Sequence, residues 1–88
     1  MIERQVTIVN PLGLHARPAA QLVKLAAGFA AHVELIRDGA AINGKSIMGV
    51  MMLAAEQGAV LGVRADGADE TAAVEAIASL IAGGFGEL

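Results

Sequence analysis

The sequence predicts an α+β fold: an open-faced sandwich in which a four-stranded antiparallel sheet is covered on one face by three helices, in the order βαββαβα. Three observations carry this. Apolar residues alternate with polar ones at the start of the chain, then recur at helical spacing immediately afterwards. The dipeptides Asp38-Gly39, Asn43-Gly44 and Asp66-Gly67 punctuate the remainder with turn signals. Strands that alternate in this way need helices over one face only, which suits an antiparallel sheet. The pattern does not set the order of strands within the sheet.

Residues 2–9 read as the first strand, with Ile2, Val6 and Ile8 among its apolar residues. Residues 16–28 read as a helix, with Ala19, Leu22, Val23, Ala26 and, just past its end, Phe29 recurring at helical spacing and Gly28 near its end. His32 to Arg37 is a second strand with Val33 and Leu35 on one face, and Asp38-Gly39 turns it into a short third strand, Ala40 to Asn43. Ser46 caps a helix expected to run to the region of Glu56-Gln57-Gly58. Val60 to Ala65 is the fourth strand. Asp69 is the expected N-cap of a last helix presenting Val74, Ile77 and Ile81, and capping accounts for the acidic group Asp66, Asp69 and Glu70. Residues 83–88 read as a loose tail on a single domain spanning 1–88.

Composition excludes several function classes. With 88 residues, 56% hydrophobic and only Phe29 and Phe85 aromatic, the core must be small and aliphatic. Cysteine is absent, and neither His15 nor His32 has a ligand-spaced partner, so no metal site and no cofactor are expected. A net charge of −3 without a basic stripe argues against a nucleic-acid binder. Mean hydropathy is +0.62. Even so, the longest apolar stretch, Ile47 to Ala55, is about half of the ~20 residues a membrane-spanning helix needs, and the first residues lack signal-peptide zones. A soluble, cytoplasmic chain is expected.

The chemistry concentrates at Gly13-Leu14-His15-Ala16-Arg17-Pro18. Gly13 supplies a turn, Pro18 is preset for a first helical turn, and His15 thereby falls beside the open N–H groups of a helix N-terminus. That position favours an anion bound to, or formed on, the ring. Arg17 adds a permanent charge with a donor fork suited to phosphate oxygens. Neutral imidazole is a good nucleophile near pH 7. The group therefore reads as a histidine that accepts a phosphoryl group and passes it on. A His that only packs or caps at a strand–helix turn is the plain alternative. His32 reads as a surface or edge residue.

Ser46 reads first as a helix N-cap; Gly49 stands where a capping box would place Glu or Gln. A phosphate on Ser46 would meet the same helix end and would charge the adjoining surface. Lys45 is either a contact for a modifying enzyme or simply solvated. Ile47, Met48, Met51 and Met52 crowd the same short helix. About half should be core, with Met48 and Met52 in one row, Ile47 and Met51 in another, and one row exposed. An exposed methionine row is adaptable, as suits docking on several partners.

The run Gly-Leu-His-Ala-Arg-Pro-Ala at 13–19 resembles the active-site signature of the histidine-containing phosphocarrier (HPr) family of the phosphoenolpyruvate-dependent phosphotransferase system. The run from Asn43 to Met51 resembles that family's regulatory serine segment, at the family's usual separation, and the resemblance covers essentially the whole chain. It implies the same open-faced sandwich. It implies a carrier rather than an enzyme, with His15 as phosphoryl acceptor through Nδ1 and Arg17 stabilising charge during transfer. It implies enzyme I as donor, A domains of enzyme II as acceptors, and Ser46 as target of a serine kinase/phosphatase. It places the methionine patch beside His15, with Ala20, Gln21 and Lys24 extending it, and Lys24 and Arg17 as a positive rim for acidic partner surfaces. A shuttle that must free its docking face is expected to be a monomer. A carrier of a nitrogen-related regulatory branch, a domain that only binds a metabolite anion at the same helix end, and a co-regulator acting through the methionine patch alone remain rivals.

Overall fold

The computed structural model describes all residues, 1–88. Seven main elements follow the predicted order: β1 (Ile2–Thr7), α1 (Ala16–Ala27), β2 (His32–Arg37), β3 (Ala40–Asn43), α2 (Ile47–Met52), β4 (Val60–Asp66) and α3 (Glu70–Ala82). The strands form one fully antiparallel sheet in the order β1-β4-β2-β3. Register follows the apolar alternation, because a one-residue slip would turn every apolar side chain outward. Val6 lies opposite Leu61, Leu35 opposite Val63, and Val33 opposite Ala65, which puts all of them on the covered face.

The core lies between that face and the helices. Val33, Leu35, Leu61, Val63 and Ala65 from the sheet meet Leu22 and Ala26 of α1, Val50 of α2, and Val74, Ile77 and Ile81 of α3. The other face carries polar pairs: Arg64 reaches Glu3 (3.1 Å) and Glu34 (3.3 Å) on the two flanking strands. Arg4 is polar on the helix side of edge strand β1, and it pairs with Glu75 of α3. The β2–β3 turn bears out its sequence signal: Asp38 and Gly39 both have positive φ, 52° and 82°, as a two-residue hairpin with right-handed strand twist requires.

Four expectations are corrected. First, α2 ends at Met52 instead of continuing toward Glu56. Ala54 adopts φ +49°, and the chain turns inward so that the Ala55 carbonyl accepts the Leu14 N–H (2.8 Å). Tertiary hydrogen bonding has overridden the helix propensity of Leu53-Ala54-Ala55-Glu56. Second, residues 83–88 are not a loose tail. Gly84–Gly86 form a left-handed turn, η1, closed by the Glu87 N–H on the Gly84 carbonyl (2.9 Å), which buries Phe85 in the core, so the core is not wholly aliphatic. Third, none of the four crowded side chains of α2 is core. Met48 and Met52 are 75% and 78% exposed, Ile47 and Met51 46% and 43%, and Val50 alone anchors the helix. Two turns of helix leaning on one side chain cannot bury a stripe. Fourth, Asp69 stands at the N-cap position of α3 without capping it by its side chain. Its carboxylate instead accepts the N–H groups of Ala30 (2.9 Å) and Ala31 (2.8 Å), tying the α1–β2 turn to α3. Those two bonds, Ala30 first, hold the Asp69 carboxyl below its ordinary range.

Candidate functional site

His15 is the N-cap residue of α1, in extended backbone conformation, and its side chain makes no capping bond. Its carbonyl accepts the first helical bond, from Ala19 N (3.0 Å). The N–H groups of Ala16 and Arg17 at the first two helical positions have no partner within the helix, and Pro18 at the third has none to offer. A pair of donors therefore opens beside the ring, at the positive end of a twelve-residue helix.

The loop before His15 is fixed from two sides. Gly13 has φ +66°, and a Cβ there would stand 2.5 Å from the Ala55 carbonyl oxygen, so only glycine lets the two loops touch. The Leu14 N–H donates to that same carbonyl. Asn10 is fully buried; its Nδ2 donates to Gly13 O (2.8 Å) and to Glu87 Oε1 (2.8 Å), while its Oδ1 is left without a partner. The supporting 53–56 segment is itself clamped by Arg37. One guanidinium nitrogen donates to the carbonyls of Leu53 (3.1 Å) and Ala54 (3.0 Å), and the other grips Glu56 (2.8 and 2.9 Å).

Glu87 is the residue that sequence reasoning missed. Its Oε2 lies 2.9 Å from His15 Nε2 and its Oε1 3.2 Å from the same atom. The bond from Asn10, and secondarily the His15 ring, hold the Glu87 carboxyl below its usual range. The approach spans 72 residues of sequence. It depends on three successive positive-φ residues, Gly84, Phe85 and Gly86 (69°, 56° and 76°), which fold the chain back over the site. The glycines flanking Phe85 were the available signal, since glycine adopts φ > 0 without steric cost.

Arg17 is exposed and forms no ion pair, so its guanidinium is free for an incoming anion. On α1, Ala20 and Lys24 are exposed and Gln21 half-buried; with Arg17 they share one helical face. α1 packs against α2, which presents Ile47, Met48, Met51 and Met52. Ser46 caps α2, its Oγ accepting the Gly49 N–H (3.1 Å). Lys45 is neither simply solvated nor free: its Nζ donates to the Phe29 carbonyl (2.7 Å). His32 is an exposed strand residue near Glu34 (3.6 Å). An open groove of about 510 Å³ lies between α1 and α3, lined by Gln21, Lys24, Leu25, Gly28 and Leu80. His15 is not part of it. The His15 ring is half-buried beside Glu87 and lies outside any enclosed cavity. No helix is long and apolar enough to cross a membrane.

Residues 2–83 match the family described as "PTS HPr component phosphorylation site". The chain belongs to the HPr family. It is 49% identical over 87 residues to the phosphocarrier protein HPr of Cupriavidus necator, covering 99% of this chain and 98% of the other. Its fold superposes on a crystal structure of HPr from Thermoanaerobacter tengcongensis with a TM-score of 0.96 at 43% identity, covering 100% and 99% of the two chains. An HPr dimer from the same organism gives 0.79 at 44% identity, covering 99% and 100%. The open-faced sandwich is therefore that of the HPr phosphocarriers of the phosphotransferase system.

Proposed function

We propose that this HPr takes a phosphoryl group on His15 from phosphorylated enzyme I, charged in turn from phosphoenolpyruvate, and passes it to A domains of enzyme II or their regulatory counterparts. The observation that carries the reading is the juxtaposition at the start of α1. A half-buried histidine ring, two N–H groups without helical partners and the exposed, unpaired Arg17 guanidinium all belong to the start of α1. Phosphoryl transfer needs positioning and charge stabilisation, and this corner supplies both without a pocket. The chain is a carrier: it is charged and discharged, and it does not turn over a substrate alone.

Docking falls to the exposed α2 side chains Ile47, Met48, Met51 and Met52, with Ala20, Gln21 and Lys24 of α1 beside them and Arg17 and Lys24 as a basic rim. Soft, exposed methionines suit several unrelated partners. Ser46 is the regulatory site of a serine kinase/phosphatase. A phosphate there would put charge against the methionine rows and oppose docking. The shuttle works as a monomer, which sedimentation of the native chain at micromolar concentration checks.

The test is an intact-mass measurement after incubation with phosphoenolpyruvate, magnesium and a bacterial enzyme I. One added phosphoryl group, lost in mild acid and absent from His15→Ala, is the expected result. No uptake with a competent enzyme I would overturn the reading and favour the anion-binding domain.

A further inference from the structure

The readily oxidised side chains of this protein are gathered in one place. The sequence has no Cys, Trp or Tyr, and it has four Met. Apart from Met1, all of them, Met48, Met51 and Met52, lie within the six residues of α2. Met48 and Met52 stand one helical turn apart on the same face and are both largely exposed, while Met51 is 43% exposed. A thioether in water is open to two-electron oxidants, and the sulfoxide product turns a flexible apolar side chain into a polar one.

Oxidation of a core methionine breaks the packing around it. α2 is built so that this does not follow. Val50 is its only buried side chain, and Ser46 Oγ caps its start by accepting the Gly49 N–H (3.1 Å). Just past its end, the Arg37 guanidinium donates to the carbonyls of Leu53 and Ala54. None of these three fixings uses a sulfur atom. An oxygen added to Met48 or Met52 points into solvent and leaves all three in place. What changes is the surface that α2 offers to a partner.

We propose that Met48 and Met52 form a reversible oxidation site: hydrogen peroxide converts their thioethers to sulfoxides, and the folded carrier then binds enzyme I more weakly until a methionine sulfoxide reductase restores them. The proposal deepens the docking reading of α2 and rests on it. In the forward step a sulfur lone pair attacks one peroxide oxygen and the O–O bond breaks. The attacked oxygen stays on sulfur, and its proton passes to the departing hydroxide, giving water. Sulfur is oxidised by two electrons and peroxide is reduced by two. In the reverse step two thiols of the reductase supply two electrons and close to a disulfide, and the oxygen leaves as water. A sulfoxide oxygen in the docked interface must give up its water without a matching donor, or hold water in an apolar contact, and either opposes docking. The His15 ring takes no part in this chemistry, so the phosphoryl acceptor itself is unaltered.

The experiment treats the native chain with hydrogen peroxide, removes the excess with catalase, and locates each added oxygen by peptide mass mapping. Affinity for a bacterial enzyme I is measured by calorimetry before and after, beside thermal melts. A chain carrying Met48→Leu and Met52→Leu goes through the same treatment and is compared only with its own untreated form. Oxygen is expected on Met48 and Met52 ahead of the less exposed Met51. Affinity of the native chain should fall roughly tenfold with the melt unchanged, because a polar group has been added to the interface and none to the core. Reductases acting on both sulfoxide epimers should restore it, and the Leu chain should not respond to peroxide. Undiminished affinity in a chain bearing both sulfoxides would overturn the proposal. So would a loss that comes with a lowered melting temperature, or an equal loss in the Leu chain. The chain with Met48→Ser and Met52→Ser separates this proposal from the reading beneath it. If that chain binds enzyme I as the native one does, α2 is not the docking surface and both fall; if it binds weakly while the sulfoxide form binds normally, only the oxidation site falls.

Discussion

The corner that holds His15 and the helix that follows Ser46 are joined by the 53–55 segment, yet they are built in opposite ways. The His15 loop is fixed from two remote parts of the chain, the Ala55 carbonyl and the folded-back Glu87, and from within by the buried Asn10. Each contact is polar and directional, and each sets a backbone or ring position to within a hydrogen bond's tolerance. α2 has two fixed points, the Ser46 cap and the single buried side chain Val50. Its remaining large side chains face solvent. The contrast separates two demands on a carrier. Chemistry at one ring nitrogen needs geometry held rigidly from outside, whereas recognition of several partner surfaces needs apolar area that can repack.

The sharpest way to break this contrast is Gly13→Ala. The added methyl would meet the Ala55 carbonyl oxygen at 2.5 Å and Glu56 Cα at 2.9 Å, in a left-handed conformation that alanine resists. Both obstacles are backbone and cannot swing away. The expected cost is at least ~2 kcal/mol in urea denaturation, with the Leu14–Ala55 bond broken and amide shifts concentrated in residues 13–16 and 54–56. A variant of native stability would mean that the two loops are not in contact. Val50→Ala comes next, at about 2 kcal/mol, because it removes the one apolar anchor of α2 and leaves a void. Here the amide shifts should spread through Ile47–Met52 and leave Glu87 unmoved.

These two variants also mark what was legible in the sequence. The strands, α1, α3 and the Asp38-Gly39 turn followed from periodicity and turn chemistry, since each is set by residues near in sequence. The His15, Arg17 and Ser46 positions were visible for the same reason: strand end, turn glycine and helix start are contiguous. What was illegible is long-range. Nothing local distinguishes Ala54, which takes a glycine-like φ because Arg37 and Leu14 hold its neighbours' carbonyls. Asp69 looks like a cap until the α1–β2 turn is seen to lie against it. The Gly83-to-Leu88 stretch reads as a tail because its partners, the core around Phe85 and the Asn10–His15 pair, lie more than 70 residues upstream in the latter case. Ile47, Met48, Met51 and Met52 misled in the other direction. Apolar residues in a helix are usually core, and only a helix too short to bury them leaves all four out.

Smaller changes sharpen the comparison within α2. Ser46→Ala removes the Oγ that accepts the Gly49 N–H and should cost about 1 kcal/mol, with Ser46→Asp recovering most of it as an alternative cap. Equal melting of native and Ala proteins would show that the cap contributes nothing. The double change Met48→Ser with Met52→Ser should alter stability by less than ~0.5 kcal/mol, since both side chains are already in water. It should nevertheless weaken binding to enzyme I, measured by calorimetry. Unchanged affinity would move the docking surface elsewhere.

Acidification distinguishes the two regions most finely, because α2 (Ile47–Met52) contains no titratable side chain while the corner is bordered by two carboxylates. Glu87 is held below its ordinary range by Asn10 and His15, and Glu56 by its own backbone N–H and then by Arg37. A lowered folded-state value means that the ionised form stabilises the fold. That contribution is complete above the ordinary carboxylate range and is lost as pH falls through the lowered value. Below that range the amide signals of Gly13, Leu14 and Glu87 should shift together while those of Gly49 and Val50 stay in place. In Glu87→Gln the acid step at Gly13 should shrink to whatever Glu56 supplies through the Ala55 contact. Should Gly49 and Val50 move in step with Gly13, the 53–55 segment would be transmitting every change, and the corner and the helix would have to be treated as one cooperative unit.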